Sequence, residues 1–288
     1  MTAPAGPNVS PILRIAIVSY YSPLGELSRA MESVSGALRE LVSGGASDQE
    51  IPSAEIVIVD NSEEGVLCLD QFAHLAESLK DLNTELRLIQ GQGNVGYGSA
   101  HNLALKKSAA DFHLIMNSDV VLDSQALKIG IAYLQTNPQA ALVSPAAQDG
   151  NGTKQYLCKQ YPSVLNFFLR GFMPGIVQAL FRGKLSRYEM RSLPETSPST
   201  DIPIVSGCFM LGRTQALQEV NGFDETYFLY FEDFDLSMRL NQHYKLAYLP
   251  DMKIVHNGGN AAGKGSRHIG MFIRSGRRFF NTWGWRFI

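Results

Sequence analysis

The chain has 288 residues, 45% hydrophobic and 18% charged, with a formal net charge of −2. That length and balance are ordinary for a globular protein with a sizeable core, in one large domain or two small ones. Its three cysteines, Cys68, Cys158 and Cys208, have no paired spacing, which excludes a disulfide framework and a zinc site and fits a reducing compartment.

The small net charge hides an asymmetry. Residues 1–153 carry 8 Lys+Arg against 17 Asp+Glu, and residues 154–288 carry 17 against 10. A basic second half suits an anionic ligand or surface. The acidic first half argues against the broad basic footprint of a nucleic-acid binder. The N-terminus lacks a basic n-region, and Arg14 interrupts the short apolar run 12–18, so no signal peptide is expected. No run of about 20 apolar residues spans a bilayer. The expected location is cytoplasmic, at most peripheral on a membrane.

Residues 12–19 form a short apolar run of the kind buried parallel strands show. A helix is predicted over 22–42, ended by Ser43-Gly44-Gly45, then a strand over 55–61 and a helix over 68–80. Strands at 86–89, 111–117 and 141–144 alternate with helices at 99–108 and 124–136. This alternation predicts an α/β fold, a mostly parallel central sheet flanked by helices. Ligands of such sheets bind at the carboxyl ends of the strands. Those ends carry Ser19 and Tyr20, Asp60 and Asn61, the glycine loop 91–98, and Asn117, Ser118 and Asp119.

After about residue 150 the rhythm changes. Residues 162–185 are aromatic and basic, and 191–201 have the composition of a mobile loop. A strand over 202–211 is interrupted at Ser206-Gly207-Cys208, and a last strand is predicted at 245–250. Between them, Glu232, Asp233 and Asp235 follow Tyr227, Phe228, Tyr230 and Phe231 and open a helix. Acids in a first helical turn complement the helix dipole. Beside so many aromatic rings, however, their charge is disfavoured unless a cation or a reaction uses it, which makes one of them a candidate general base.

Gly91-Gln-Gly93-Asn-Val-Gly96 satisfies the G-x-G-x-x-G dinucleotide fingerprint. That fingerprint normally follows the first strand of its sheet, whereas two strand–helix units precede it here. A loop closing near a nucleotide, with Asn94 and Asn102 as polar contacts, fits better. Asp119 at the end of a buried strand suits a hard cation that shares phosphate oxygens; as a lone residue it is equally a turn acid. His256 precedes Asn257-Gly258-Gly259 and by itself reads as a polar loop residue.

Taken together, Asp60, Gly93-Asn-Val-Gly-Tyr-Gly98, Asn117-Ser-Asp119, Ser206-Gly-Cys-Phe-Met210, Asn221-Gly-Phe-Asp224, Phe231-Glu-Asp233 and His256 resemble glycosyltransferase family 2. The resemblance is to nucleotide-sugar-dependent enzymes of the GT-A fold, and more narrowly to bacterial rhamnosyltransferases of surface-glycan synthesis (lipopolysaccharide, O-antigen). It implies a GT-A domain over 10–256, with a nucleotide-binding half at 12–150 and an acceptor and catalytic half at 151–256. Residues 257–288 would form a basic, aromatic extension.

The resemblance further implies Asp233 as catalytic base with Glu232 beside it, and Asp60 on the nucleotide base. Asp119 and His256 would lie at a Mg²⁺ or Mn²⁺ ion. Ser19, Tyr20, Asp60, Asn94, Gly96, Asn102, Asn117, Ser118 and Asp119 are the donor-side candidates. Ser206, Gly207, Cys208 and Asp235 are the acceptor-side ones. Asn117 stands where the family's D-x-D has its first acid, leaving one carboxylate for the metal; Arg239 or Lys264 would otherwise neutralise a diphosphate.

The implied reaction is inverting transfer of L-rhamnose from dTDP-β-L-rhamnose to a saccharide or lipid-linked saccharide. A UDP-hexose donor, a nicotinamide-dependent oxidoreductase using Gly91–Gly96 and an inactive nucleotide-sugar-binding protein are the alternatives. The tail from Lys253 has seven cations and no acid, interleaved with Phe272, Ile273, Phe279, Phe280, Trp283, Trp285 and Phe287. Its expected roles are packing onto the core or docking on an anionic membrane surface.

Overall fold

A computed structural model describes residues 11–43, 53–258 and 266–288. In chain order the first part holds β1 (Leu13–Ser19), α1 (Leu24–Ser43), β2 (Ala54–Asp60), a short 3₁₀ turn leading into α2 (Ala73–Lys80), β3 (Thr84–Ile89), α3 (Tyr97–Leu105), β4 (Phe112–Asn117), β5 (Val120–Leu122), α4 (Ala126–Thr136) and β6 (Ala140–Gln148). The second part holds β7 (Lys154–Gln155), β8 (Cys158–Lys159), α5 (Val164–Phe172), α6 (Gly175–Leu180), α7 (Arg182–Tyr188), β9 (Ile204–Val205), β10 (Phe209–Arg213), α8 (Thr214–Glu219), α9 (Glu232–Leu240), β11 (Lys245–His256) and α10 (Ser266–Trp283).

The central sheet runs β3-β2-β1-β4-β10-β6-β11-β5, with β7 paired to β6. Strands β3, β2, β1 and β4 are parallel to one another, as are β6 and β11. Strand β10 runs antiparallel between β4 and β6, and β5 antiparallel against β11. The sheet is therefore mostly parallel, as the strand–helix alternation predicts.

All seven residues of β1 and of β2 are buried, because both faces of the sheet are covered. Alternate side chains part to the two faces. Leu13, Ile15, Ile17, Ile56 and Ile58 meet Leu27, Met31 and Val34 of α1, Leu75 of α2 and Leu127 of α4. Ala16, Val18, Val57 and Val59 meet Ala100 and Ala104 of α3 on the other face. Further along, α8 and α9 supply Ala216, Leu217, Leu236 and Leu240 to the same side.

Two elements differ from the sequence reading. The last strand extends to His256 because Ile254, Val255 and His256 pair with the short β5. The loop 191–201 is tethered: Ser199 pairs with Tyr248 through both backbone groups, and Glu195 pairs with Lys154. The basic tail packs on the core, the first of its two expected roles. In α10, Phe279 and Phe280 are buried with Ile204, Tyr227 and Phe231, so these two rings belong to the core and not to a membrane surface. Among the described residues no helix is long and apolar enough to cross a membrane.

Because Phe279 is fully buried, Phe279→Ala should cost about 3–5 kcal/mol of stability. Ile273→Ala, on the exposed face of the same helix, should stay within about 0.5 kcal/mol. Denaturant unfolding of the two variants checks this, and equal losses would mean that α10 docks by its other face.

Candidate functional site

The start of α9 is built under strain. Tyr230 and Phe231 both lie in the left-handed region, with φ of 70° and 68°, a conformation that bulky residues avoid. Around them packs an aromatic cluster. The Phe231 ring lies 5.5 Å from Phe279, 5.0 Å from Phe272 and 5.1 Å from Phe167. Ser275 of α10 donates to Leu229 O at 2.8 Å, and Tyr230 Oη meets His268 Nδ1 at 2.9 Å. The C-terminal helix thus fixes the turn that aims the acids.

Asp233 is half-buried and reachable, whereas Glu232 is buried. Asp233 Oδ2 accepts the Gly207 N–H at 2.8 Å and Oδ1 its neighbour Phe234 N–H at 2.9 Å. Burial pushes the Asp233 carboxyl up to about 6, while these hydrogen bonds and the Lys159 charge keep it from rising further. Glu232 is raised well above the ordinary range by burial and then by the charge of Asp233. Its Oε2 has no hydrogen-bond partner. The pair holds one carboxylate ready to accept a proton beside a second kept neutral.

Gly207 joins this pair to the strand ends. Tyr97 Oη donates to Gly207 O at 2.6 Å, and Cys208 O accepts from Asn117 N at 3.0 Å. Burial pushes the Cys208 thiol up to about 12; the Ser206 hydroxyl, 3.6 Å from its Sγ, works against this, and the charges of Asp119 and Asp233 add to it. Ser206, Gly207 and Cys208 therefore bridge the two acids.

At the strand ends, Ser118 and Asp119 are half-buried, and Ser118 Oγ meets Ser22 Oγ at 2.7 Å. Asp119 Oδ1 has no hydrogen-bond partner and lies 3.6 Å from His256 Nε2. Gln155 fixes that imidazole, its Oε1 2.8 Å from His256 Nδ1 and its Nε2 donating to His256 O at 3.0 Å. Burial lowers the His256 pKa against the pull of Asp119, so the ring is neutral at ordinary pH. Gly258 closes the group: a Cβ there would stand 2.1 Å from Asp119 Oδ2.

Among the described residues there is no cluster of three or more His, Cys, Asp or Glu able to hold a metal. One orphaned carboxylate oxygen and one neutral imidazole fit a divalent cation that takes its other ligands from phosphate oxygens and water.

The glycine loop is tied to the neighbouring strand end by Asn61. Its Nδ2 donates to Asn94 Oδ1 and Gly96 O, and its Oδ1 accepts from Val95 N. Gly96 has a φ of 87°, and a Cβ on it would stand 2.4 Å from Phe228 O. That carbonyl accepts the Tyr97 N–H at 3.0 Å. Ser19 is buried beneath the loop, and Tyr20 is half-exposed, donating to Glu63.

Three expected positions are placed otherwise. Asp60 is fully buried, and both its oxygens are taken by its own loop, Oδ1 by Ser62 N and Oγ and Oδ2 by Leu67 N. Burial works to raise its pKa, but those hydrogen bonds outweigh it and hold the carboxylate charged. Here it shapes the loop 60–67. Asn102 is also buried, bonded to Phe223 N and O and to Glu225, so it joins α3 to the 223–225 turn. Asp235 is buried between Arg239 Nε at 2.7 Å and Trp283 Nε1 at 2.9 Å, and it holds α9 against α10. Arg239 is thereby committed, and Lys264 lies outside the described residues.

The sequence reading missed Gln155, Tyr97 and Gly258 as parts of the site, and Lys159 as a charge near it. Gln155 has no signal of its own, since two residues of β7 place it. Gly258 had one, in the glycine pair after His256.

A model described as "Glycosyltransferase like family 2" matches residues 33–264. The chain is 25% identical over 273 residues to an N-acetylglucosaminyl-diphospho-decaprenol L-rhamnosyltransferase of Mycobacterium tuberculosis, covering 89% of this chain and 78% of that one. It is 27% identical over 175 residues to Rhamnosyltransferase WbbL of Escherichia coli K12, covering 57% and 61%. Among solved structures it resembles mannosyltransferase PcManGT of Pyrobaculum calidifontis, bound to GDP-Man and Mn²⁺. The TM-score is 0.58 at 16% identity, over 94% of this chain and 65% of that one. The sheet with its flanking helices is the GT-A fold. The chain is a glycosyltransferase and belongs to glycosyltransferase family 2.

Proposed function

We propose that the protein moves L-rhamnose from dTDP-β-L-rhamnose to a hydroxyl of a lipid-linked saccharide in bacterial surface-glycan synthesis, with inversion at the anomeric carbon. The observation that carries the chemistry is Asp233, reachable from solvent, raised toward neutrality and aimed by the Gly207 N–H. The acceptor hydroxyl gives its proton to Asp233 while its oxygen attacks the anomeric carbon. The nucleoside diphosphate leaves from the opposite face, so a β donor yields an α product. Two relatives named as rhamnosyltransferases support the sugar. The diphospho-decaprenol in the name of one supports a lipid-linked acceptor.

Asp119 and His256 would hold a Mg²⁺ or Mn²⁺ ion, which when bound offsets charge on the leaving diphosphate. Ser118 and the Asn94–Gly96 loop border the same strand ends and suit the rest of the donor.

The protein would work at the inner face of the cytoplasmic membrane. Ile269 and Ile273 are exposed on α10 beside Arg267, Arg274 and Arg277. Each such cation near anionic headgroups is worth about 1 kcal/mol.

In a nucleotide-release assay, dTDP-β-L-rhamnose should turn over and UDP-hexoses should not; the reverse preference would retire the rhamnosyl reading. The rate should rise with pH through about 6 and then level, because protonated Asp233 accepts no proton. Asp233→Asn should lower transfer by about 10²–10⁴ and leave donor binding within a few-fold. A variant that keeps a tenth of the rate moves the base elsewhere, with Glu232 next.

Asp119→Ala should weaken donor binding, and chelation by EDTA should do the same to the wild type. Undiminished binding and turnover in EDTA would remove the metal from this reading.

The protein should sediment with phosphatidylglycerol vesicles at low salt and detach at high salt. Equal recovery on neutral vesicles, with no salt effect, would take the electrostatic contact away.

A further inference from the structure

A separate cavity of about 750 Å³ opens beside α5 and α7, lined by Ser163, Asn166, Lys184, Arg187, Tyr188 and Arg286 among others. No Asp or Glu lines it. Among the described residues Lys184, Arg187 and Arg286 make no ion pair with any acid. Three unpaired cations around one hollow repel one another, and an anion would offset that cost. Asn166 is 5% exposed, and its side-chain oxygen has no partner in the protein. A buried amide left so is free to turn its N–H groups toward a ligand.

The hollow is held open by backbone. Val164 N and Leu165 N at the start of α5 donate to Arg286 O at 2.8 Å and Phe287 O at 3.1 Å, and Asn166 N to Ser163 Oγ at 3.2 Å. The helix start is therefore closed by these groups, and a ligand meets side chains.

The cavity stands one aromatic layer from the catalytic base. Phe167, next to Asn166, lies 6.1 Å from the Tyr188 ring on one side, and 5.1 Å from Phe231 and 6.3 Å from Phe234 on the other. Those last two residues flank Glu232 and Asp233. Ile288 lines the mouth at 80% exposure, and Phe287 beside it is 65% exposed. Cations along the wall, Arg187 and Arg286 exposed among them, beside exposed apolar side chains match a phosphorylated head carrying a hydrocarbon chain.

We propose that this cavity binds the diphosphate of the lipid-linked acceptor through Lys184, Arg187 and Arg286, with the lipid chain leaving over Phe287 and Ile288. The identity of the biological ligand rests on the lipid-linked acceptor proposed above. The donor's own diphosphate is assigned above to Asp119 and His256, neither of which lines this cavity.

The test is a calorimetric titration of geranyl diphosphate into the full chain with its donor site filled by excess dTDP and Mn²⁺. Arg187→Ala and Arg286→Ala should each weaken binding about tenfold and together about a hundredfold, as loss of charge-assisted hydrogen bonds does. Arg187→Lys with Arg286→Lys should restore most of it, and Lys128→Ala on α4 should leave it unchanged. Geraniol, which lacks the diphosphate, should not bind. Equal affinity in the double alanine variant and the wild type would overturn the assignment. Displacement by phosphatidylglycerol vesicles would overturn it too, giving the cavity to a phospholipid headgroup. A chain that binds geranyl diphosphate in this Arg-dependent way but rejects dTDP-rhamnose would retire the proposed donor and sustain the cavity.

Discussion

The Tyr97 N–H reaches the Phe228 carbonyl at 3.0 Å, and this contact leaves no room for a side chain at residue 96. It is where the loop after β3 touches the turn before α9, so it sets the two sides of the cleft against each other. Tyr97 repeats the link through its hydroxyl, which donates to Gly207 O, while Gly207 N holds Asp233. A single residue at the head of α3 thus positions both the strand-end loop and Asp233. Moving that helix start would move the carboxylate.

The turn before α9 would not hold this shape by itself. Two successive left-handed aromatic residues cost of order 1–3 kcal/mol each, and two adjacent carboxyls in partial burial add to that. The offset comes from α10 and α5, whose rings pack on Phe231 from several sides. Burial of Phe279, Phe280 and Tyr227 in the same cluster contributes at about 25 cal/mol per Å² of apolar surface removed from water. The basic tail is therefore the support of the turn before α9. Its remaining exposed face, with Ile269 and Ile273, is free for a second use.

The sheet was legible because its strands are buried on both faces and read as short, largely apolar runs, as 13–19 and 54–60 do, with Arg14 and Glu55 paired to each other inside them. The polar strand ends were legible because polar residues gather where those runs stop, and the acids of α9 because they follow a run of aromatic residues. Short elements were not. Strand β5 has three residues and β7 two, too few for any period, and both exist because β11 and β6 offer them partners. The fate of Asp235 and Asn102 was hidden as well. Each looks like a polar site residue in sequence, and each is consumed by a partner more than 45 positions away, Trp283 for one and Phe223 for the other. Sequence spacing carries local geometry, whereas these pairings are set by how distant elements meet.

Unpartnered polar atoms separate site from core only when access is weighed with them. His101 and His113 are fully buried with both ring nitrogens unpaired. Burial holds His113 down to about 3 and lowers His101 well below its ordinary value, so both are neutral packing residues. Nothing from solvent reaches them. Asp119 Oδ1 is orphaned in the same way, but its side chain is 22% exposed and stands just past a strand's carboxyl end beside the His256 imidazole. Glu232 Oε2 lies between: buried, yet next to the half-buried Asp233 whose charge it feels. Glu232, raised well above its ordinary range, withholds a second negative charge from the neighbouring Asp233 carboxylate, and of the two acids Asp233 is the one open to solvent.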